Sequence, residues 1–310
     1  MNISGLPGIL SSARRREFVN PYDWTLRTLN CGTSPNEVFF GSGDWTCVSR
    51  DGSGSSDIST STDAITWTNR SANREMMFDV HFADSIWCTG GNAGFLMTAT
   101  DPTGAWTSRT SSFGATSVNS FNNDGTTWCS VGNSGKMATA TDATGTWTQR
   151  TSGFGATQIE DIDWDGTYFV AVGFDGKLTT ATDPTGTWTA RTSSFGATRV
   201  MCAAYSPHLG LWAISGRDGK LATASDPTGT WTQRTTGLAG TEWITRVIWD
   251  STANLFVAVG KDDSVSAVSQ NGIDWILDDV VQVNTFGGNY GDGYIVLTSS
   301  AIPSGATSFN

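Results

Sequence analysis

The stretch TATDPTGTWTARTSSFGAT, residues 180–198, decides how the chain is read, because it recurs. Residues 98–116 read TATDPTGAWTSRTSSFGAT, residues 139–157 TATDATGTWTQRTSGFGAT, and residues 223–241 TASDPTGTWTQRTTGLAGT. Weaker copies stand at 59–71 (STSTDAITWTNRS) and 268–279 (VSQNGIDWILDD), and NPYDWTLRT at 20–28 holds the end of the same unit. The repeat tryptophans are Trp24, Trp67, Trp106, Trp147, Trp188, Trp231 and Trp275, spaced by 39–44 residues. A period of about 40–45 residues is the length of a propeller blade.

A second ladder runs in step. Trp45, Trp87, Trp128, Phe169, Trp212, Phe256 and Tyr294 each open a short run rich in β-formers. The copy at 158–196 divides into QIEDIDWDG, TYFVAVGFDG, KLTTATDPTG and TWTARTSSFG, each a strand-like piece closed by a turn. Four such pieces per unit make one antiparallel blade. The reading is all-β: a seven-bladed β-propeller of four-stranded antiparallel blades over residues 20–310. The strand after Trp24 pairs with the C-terminal blade and closes the ring. Closure removes sheet edges that invite aggregation. Residues 1–19 form an arm outside the repeat.

Composition narrows the function classes. The 310 residues carry a formal charge of −11, which disfavours nonspecific nucleic-acid binding and docking on anionic lipid. No apolar run is long enough for a membrane-spanning helix, and MNISGLPGILSSARRREF lacks the order of a secretory signal. The five cysteines show no CxxC spacing and the two histidines, His81 and His208, stand far apart. Neither a disulfide framework, a zinc site nor a cofactor is signalled, and the expected location is a virion or the cytoplasm.

Residues repeated in every blade are read as scaffold, since an active site is used once. Asp63, Asp101, Asp142, Asp183 and Asp226 head turns whose backbone N–H groups they accept. Gly104, Gly145, Gly186 and Gly229 supply a positive φ if the turn needs one. The repeat tryptophans cover the seams between blades. Arg27, Arg70, Arg109, Arg150, Arg191 and Arg234 each stand three residues after a repeat tryptophan and read as structural rather than as a ring for an anionic polymer. Lys136, Lys177 and Lys220 read as solvated strand flanks. Phe113, Phe154, Phe195 and Leu238, in the loops joining blades, read as plugs of the inter-blade groove. DIDWDG (161–166) begins like a calcium loop, but Val172 stands where the closing Glu is required, so Asp165-Gly166 reads as a hairpin turn. Asp262-Asp263 and Asp278-Asp279 read as solvated turns. Arg14, Arg15 and Arg16 form the dense basic run of an acidic chain and read either as a docking arm or as a frayed tail.

STDAITW, TDPTGTW and SQNGIDW resemble the Asp-box of sialidase-like repeat propellers, a Ser/Thr–Asp–Gly–Trp turn. The aspartates sit five residues before their tryptophan in the four close copies, as in the family. The glycine comes one residue late there, and Ala99, Ala140, Ala181 and Ala224 replace the leading Ser. The resemblance implies a propeller and no particular activity. Near-identical tandem copies with an extra arm also resemble propeller proteins of bacteriophage virions. That implies a non-catalytic structural and interaction protein, tail- or capsid-associated, docking on other virion or structural proteins. Two alternatives stay open: a lectin-like propeller for a surface glycan, and a sialidase-like hydrolase. The hydrolase needs converging arginines, a Tyr with a Glu base and an Asp acid, and nothing around Tyr168, Tyr205, Tyr290 or Tyr294 selects such a set.

Overall fold

A computed structural model describes residues 25–52, 55–261, 266–278, 285–299 and 305–308. It shows an all-β propeller, with three single 3-10 turns as its helical content among the described residues. Six blades are four-stranded sheets of consecutive antiparallel strands, spanning 35–74, 77–108, 118–151, 159–192, 200–234 and 244–278. They are called blades 1 to 6 below.

The seven-bladed reading is corrected to six such blades. The remaining sheet is of different make: strands Thr285–Gly291, Tyr294–Ser299 and Gly305–Ser308 are joined by Thr25–Thr28 from the other end of the chain. Among the described residues, the ladder between its second and third strands holds the pairs Leu297↔Thr307 and Thr298↔Ala306. Thr25↔Ser308 through Thr28↔Gly305 register the N-terminal strand. This composite sheet sits between blades 6 and 1. Thr245 Oγ1 of blade 6 donates to the Thr285 carbonyl at 3.0 Å, and Thr298 Oγ1 donates to the Asn36 carbonyl of blade 1 at 2.8 Å. Residues 1–24, with Arg14, Arg15, Arg16 and Trp24, lie outside the described residues, as do Asp262, Asp263 and Asp279.

Strand position dictates composition. The second strand of each blade is covered on both faces by neighbouring blades. FVAVG at 169–173 and LFVAVG at 255–260 are therefore continuous apolar runs, buried throughout. Trp45, Trp87, Trp128 and Trp212 stand first or second in four of these strands and are fully buried. The fourth strand is the rim, and TQRT at 148–151 is mostly exposed. Its Thr residues still favour the pleat because they are β-branched. Trp147 packs into the seam between blades 2 and 3 with Cys88, Leu96, Phe113 and Phe121. Phe113, Phe154 and Phe195 are buried plugs, whereas Leu238 is only half-buried.

The Asp turns are built as follows. Asp226 Oδ1 accepts Thr228 N–H at 2.8 Å and the Thr228 hydroxyl at 2.7 Å; Trp231 Nε1 donates to the Pro227 carbonyl at 3.2 Å. Asp101, Asp142 and Asp183 repeat the arrangement. The hydrogen bonds hold these carboxyls below the usual carboxylate range. Gly229 does not have a positive φ, and a Cβ there would meet only ordinary contacts, the nearest Asp226 O at 3.5 Å. The extra residue in these turns relieves the need for left-handed backbone. The shorter end copies keep that need, at Ala64 (φ +56°) and Gly272 (φ +67°). Gly229→Ala is therefore expected to change the unfolding free energy by less than about 0.5 kcal/mol. Asp226→Ala removes two accepted bonds at an exposed turn and should cost about 1 kcal/mol. Urea unfolding of both variants checks the contrast, and equal costs would refute it.

Two other readings change. Lys177 and Lys220 are not free edge guards. Lys177 Nζ donates to the Phe154 carbonyl (2.8 Å) and Thr157 Oγ1 (2.7 Å), and Lys220 Nζ does the same to Phe195 and Thr198. Lys136 likewise reaches the Phe113 carbonyl. Each lysine fastens the loop that carries a phenylalanine plug. Five of the repeat arginines, Arg70, Arg109, Arg150, Arg191 and Arg234, bond within their own blade, as Arg150 Nε does to Thr139 Oγ1 at 2.8 Å, whereas Arg27 Nε has no such partner among the described residues. Arg70, Arg109, Arg150 and Arg191 also act on the turn aspartate of the next blade, helping to hold Asp101, Asp142, Asp183 and Asp226 ionised. The arginines form a rim ladder.

Candidate functional site: the channel and its cationic mouth

The first strand of every sheet lines a central channel. Each carries a β-bulge after its first residue, between Pro35 and Glu37, Met77 and Asp79, Ile159 and Asp161, and at the matching places elsewhere. In the composite sheet it lies between Thr285 and Gly288. A bulge spoils simple alternation, so two successive side chains turn toward the axis. Asn36 and Glu37 both line the channel for this reason, as do Glu160 and Asp161.

The waist of the channel is ionic. Arg246 lines the cavities on both sides of it and pairs with Glu37; its other terminal nitrogen lies 3.4 Å from Asp161 Oδ2. The carboxylates also stitch sheets together. Asp79 accepts Phe121 N–H of the next blade at 2.8 Å, Asp161 accepts Ala203 N–H at 3.0 Å, and Asp163 accepts Tyr205 N–H at 3.1 Å. Glu37 accepts Gly288 N–H at 3.0 Å across the composite sheet. Burial pushes Asp163 up to about 7, with the Asp161 charge adding to it. Burial and the Asp161 charge push Asp79 up to about 7 as well. Burial lowers Arg246 to about 10 and His81 to about 4. His81 lines the channel, packed against Phe39 and Trp128.

Antiparallel pairing sorts the loops between two faces. Asp turns and first-to-second hairpins lie on one. Blade connections and second-to-third loops lie on the other, around a cavity of about 480 Å³. This second mouth is polarised. Blades 2 to 4 supply amides whose donors are used locally. Asn119 Nδ2, for example, donates to the Ile159 carbonyl at 2.7 Å. Blades 1, 5 and 6 and the loop before blade 5 supply cations, stacked on rings from blade 4, the loop before blade 6 and the composite sheet. Arg217 lies 3.8 Å from the Trp243 centroid and Lys261 4.4 Å from the same ring. Arg50 lies 4.5 Å from the Phe286 centroid and Arg199 4.3 Å from that of Phe174. Arg199 pairs with Glu160 at 2.7 Å. Among the described residues, no carboxylate forms an ion pair with Arg50, Arg217 or Lys261. Burial, and then the Arg199 charge, lower the Arg50 guanidinium from its ordinary value.

None of these mouth residues was singled out from the sequence. The signal was present as divergence between near-identical copies. FGAT is followed by Ser117, Gln158 and Arg199 in three successive blades, and the residue after the second strand changes from Asn92 and Asn133 to Phe174, Arg217 and Lys261. The repeat residues Asp63, Asp101, Asp142, Asp183 and Asp226, with Trp67, Trp106, Trp147, Trp188, Trp231 and Trp275, lie in turns of the opposite face. Asp165 caps its own hairpin, accepting Thr167 and Tyr168 N–H groups, and its other oxygen takes Trp212 Nε1 at 2.9 Å. The described residues hold no cluster of three metal-ligating side chains. Burial raises the thiols of Cys47, Cys88, Cys129 and Cys202, which disfavours the thiolate. The Tyr290 hydroxyl is bonded to Thr252. Among the described residues, no helix is long and apolar enough to cross a membrane.

No protein-family model and no curated protein matches the sequence. Solved structures match its shape. YCF48 from Cyanidioschyzon merolae superposes with a TM-score of 0.71 at 14% identity, over 93% of this chain and 98% of that one. A structure of YCF48 bound to D1 peptide gives 0.72 at 15% identity, over 94% and 96%. Virginiamycin B lyase from Staphylococcus aureus gives 0.76 at 10% identity, over 93% and 99%. The RRP9 WD40 repeats give 0.71 at 10% identity, over 92% and 96%. At these identities the likeness is one of fold, and the chain is a β-propeller with repeated blades.

Proposed function

We propose that this chain is a non-catalytic docking propeller that grips part of another protein at its cationic mouth and serves as a tail- or capsid-associated virion component. The carrying observation is the arc of Arg50, Arg199, Arg217 and Lys261 on aromatic rings, assembled from positions where the copies diverge. Scaffold residues repeat; a site used once does not. A neighbour of the same fold whose structure is described as bound to a peptide supports the reading. The virion assignment is supported by the near-identical tandem copies and by the buried free cysteines, which suit a reducing site of synthesis. A cation already covers a face of Trp243, Phe286 and Phe174. That leaves less open ring for sugar stacking and favours protein docking over glycan binding.

Purified virions, with a photo-reactive residue in place of Phe286, test both parts. The expected result is the chain at constant stoichiometry, cross-linked to one virion protein. Absence from the particles overturns the virion assignment. Presence with cross-links only from the Asp-turn face overturns docking at the mouth.

A further inference from the structure

The mouth also indicates what its occupant is made of. We infer that it takes a carboxylate-rich peptide segment of the partner, seated against Arg50, Arg217 and Lys261. This inference rests on the docking reading above and names the chemistry of that site.

The chain carries −11 overall, yet Arg50, Arg199 and Lys261 line this one cavity, and Arg217 stands on Trp243, which also lines it. Glu160, paired with Arg199 and also acting on Arg217, is the one carboxylate in that lining among the described residues, and none forms an ion pair with Arg50 or Lys261. Nε of Arg199 and of Arg217 is buried and lacks a hydrogen-bond partner. Like charges held together in a partly desolvated cavity repel, and an arriving anion relieves that cost. Arg246 adds positive charge at the floor, although it is already engaged by Glu37 and Asp161.

Size and stacking select among anions. A cavity of about 480 Å³ admits a few side chains or a chain end, not a helix of nucleic acid. Single-strand binding needs open aromatic platforms for bases, and here the rings are capped by cations. The net charge repels the rest of a polyphosphate. Planar guanidinium groups of Arg50 and Arg217 suit bidentate carboxylates. A peptide carboxylate comes either from acidic side chains or from a free C-terminus.

The test is calorimetric titration of the full chain with three octapeptides: alternating Gly and Glu as the free acid, the same peptide as the C-terminal amide, and the Gly-Gln amide. Both acidic peptides should bind at least about tenfold more tightly than the neutral one, and raising salt from about 50 to about 300 mM should weaken them. Tighter binding of the free acid assigns the chain end; equal binding of the two acidic peptides assigns side chains. The double variant R217Q/K261Q should lose about tenfold or more in acidic-peptide affinity with its thermal unfolding unchanged. Should the variant unfold early, the salt dependence and the acidic-to-neutral ratio of the parent chain still decide. Equal binding of acidic and neutral peptides, no acidic binding, or displacement of the acidic peptide by oligo(dT) overturns the inference. A mouth cross-link in particles without acidic-peptide binding would spare docking and sink this chemistry. Acidic-peptide binding by a chain that cross-links to no partner would do the reverse.

Discussion

Phe154→Ala should lower the unfolding free energy by about 3–5 kcal/mol, the cost of emptying a large buried aromatic site. The side chain is fully buried between blades 3 and 4, among Val131, Met137, Ile159, Phe169 and Trp188. Its ring lies so close over the second strand of blade 4 that a Cβ on Gly173 would stand 3.0 Å from Phe154 Cε1. Strands on either side are held by their own ladders, so the hole has little freedom to collapse. The loop is also pinned from outside by Lys177. Leu238, the equivalent in the loop between blades 5 and 6, is only half-buried, and Leu238→Ala should cost about 1–2 kcal/mol. Denaturant titration of both variants measures the difference. Equal losses would show that the loops are not plugs of graded depth.

Asp79→Asn should make the protein more stable at pH 8, by on the order of 2–4 kcal/mol, and much less so at pH 4. The folded carboxyl is pushed up to about 7, first by burial and then by the Asp161 charge. In an unfolded chain it titrates near the ordinary value of 3.8. Between these values the folded state keeps a proton that the unfolded state has lost. Stability from this group is therefore complete below about pH 4 and is lost as pH rises through about 7. Asn mimics the neutral acid and still accepts the Phe121 N–H. His81 works in the opposite sense, because its folded value of about 4 lies below its ordinary 6.5. It, Glu37, Asp163 and Arg246 are common to both proteins, whereas Asp161 loses the repulsion of Asp79 in the variant, which adds to the gain at pH 8. Thermal unfolding at the two pH values reads the effect, and a gap that does not grow from pH 4 to pH 8 would refute the buried-acid account.

The placing of Asp79 shows where sequence reasoning stops. In the sequence MFDVHFA it looks like a polar residue of an alternating strand, facing solvent. The bulge in every first strand changes that by turning the third residue toward the axis. The ring then brings Glu37, Asp79, Asp161 and Arg246, far apart in the chain, around one channel waist. No spacing within one copy encodes that meeting. The same holds for Arg217 and Trp243, which stack across the junction of blades 5 and 6.

By itself the sequence determined the repeat, the strands and the turn aspartates, because those depend on contacts within some forty residues and recur copy after copy. It also showed which residues recur in every close copy and which differ. Only the tertiary structure decided that six blades are of the repeated kind, that a composite sheet stands between the last and the first, and that the divergent residues share one mouth. Those facts depend on how separate sheets face a common axis, which is a property of the closed ring and not of any single blade.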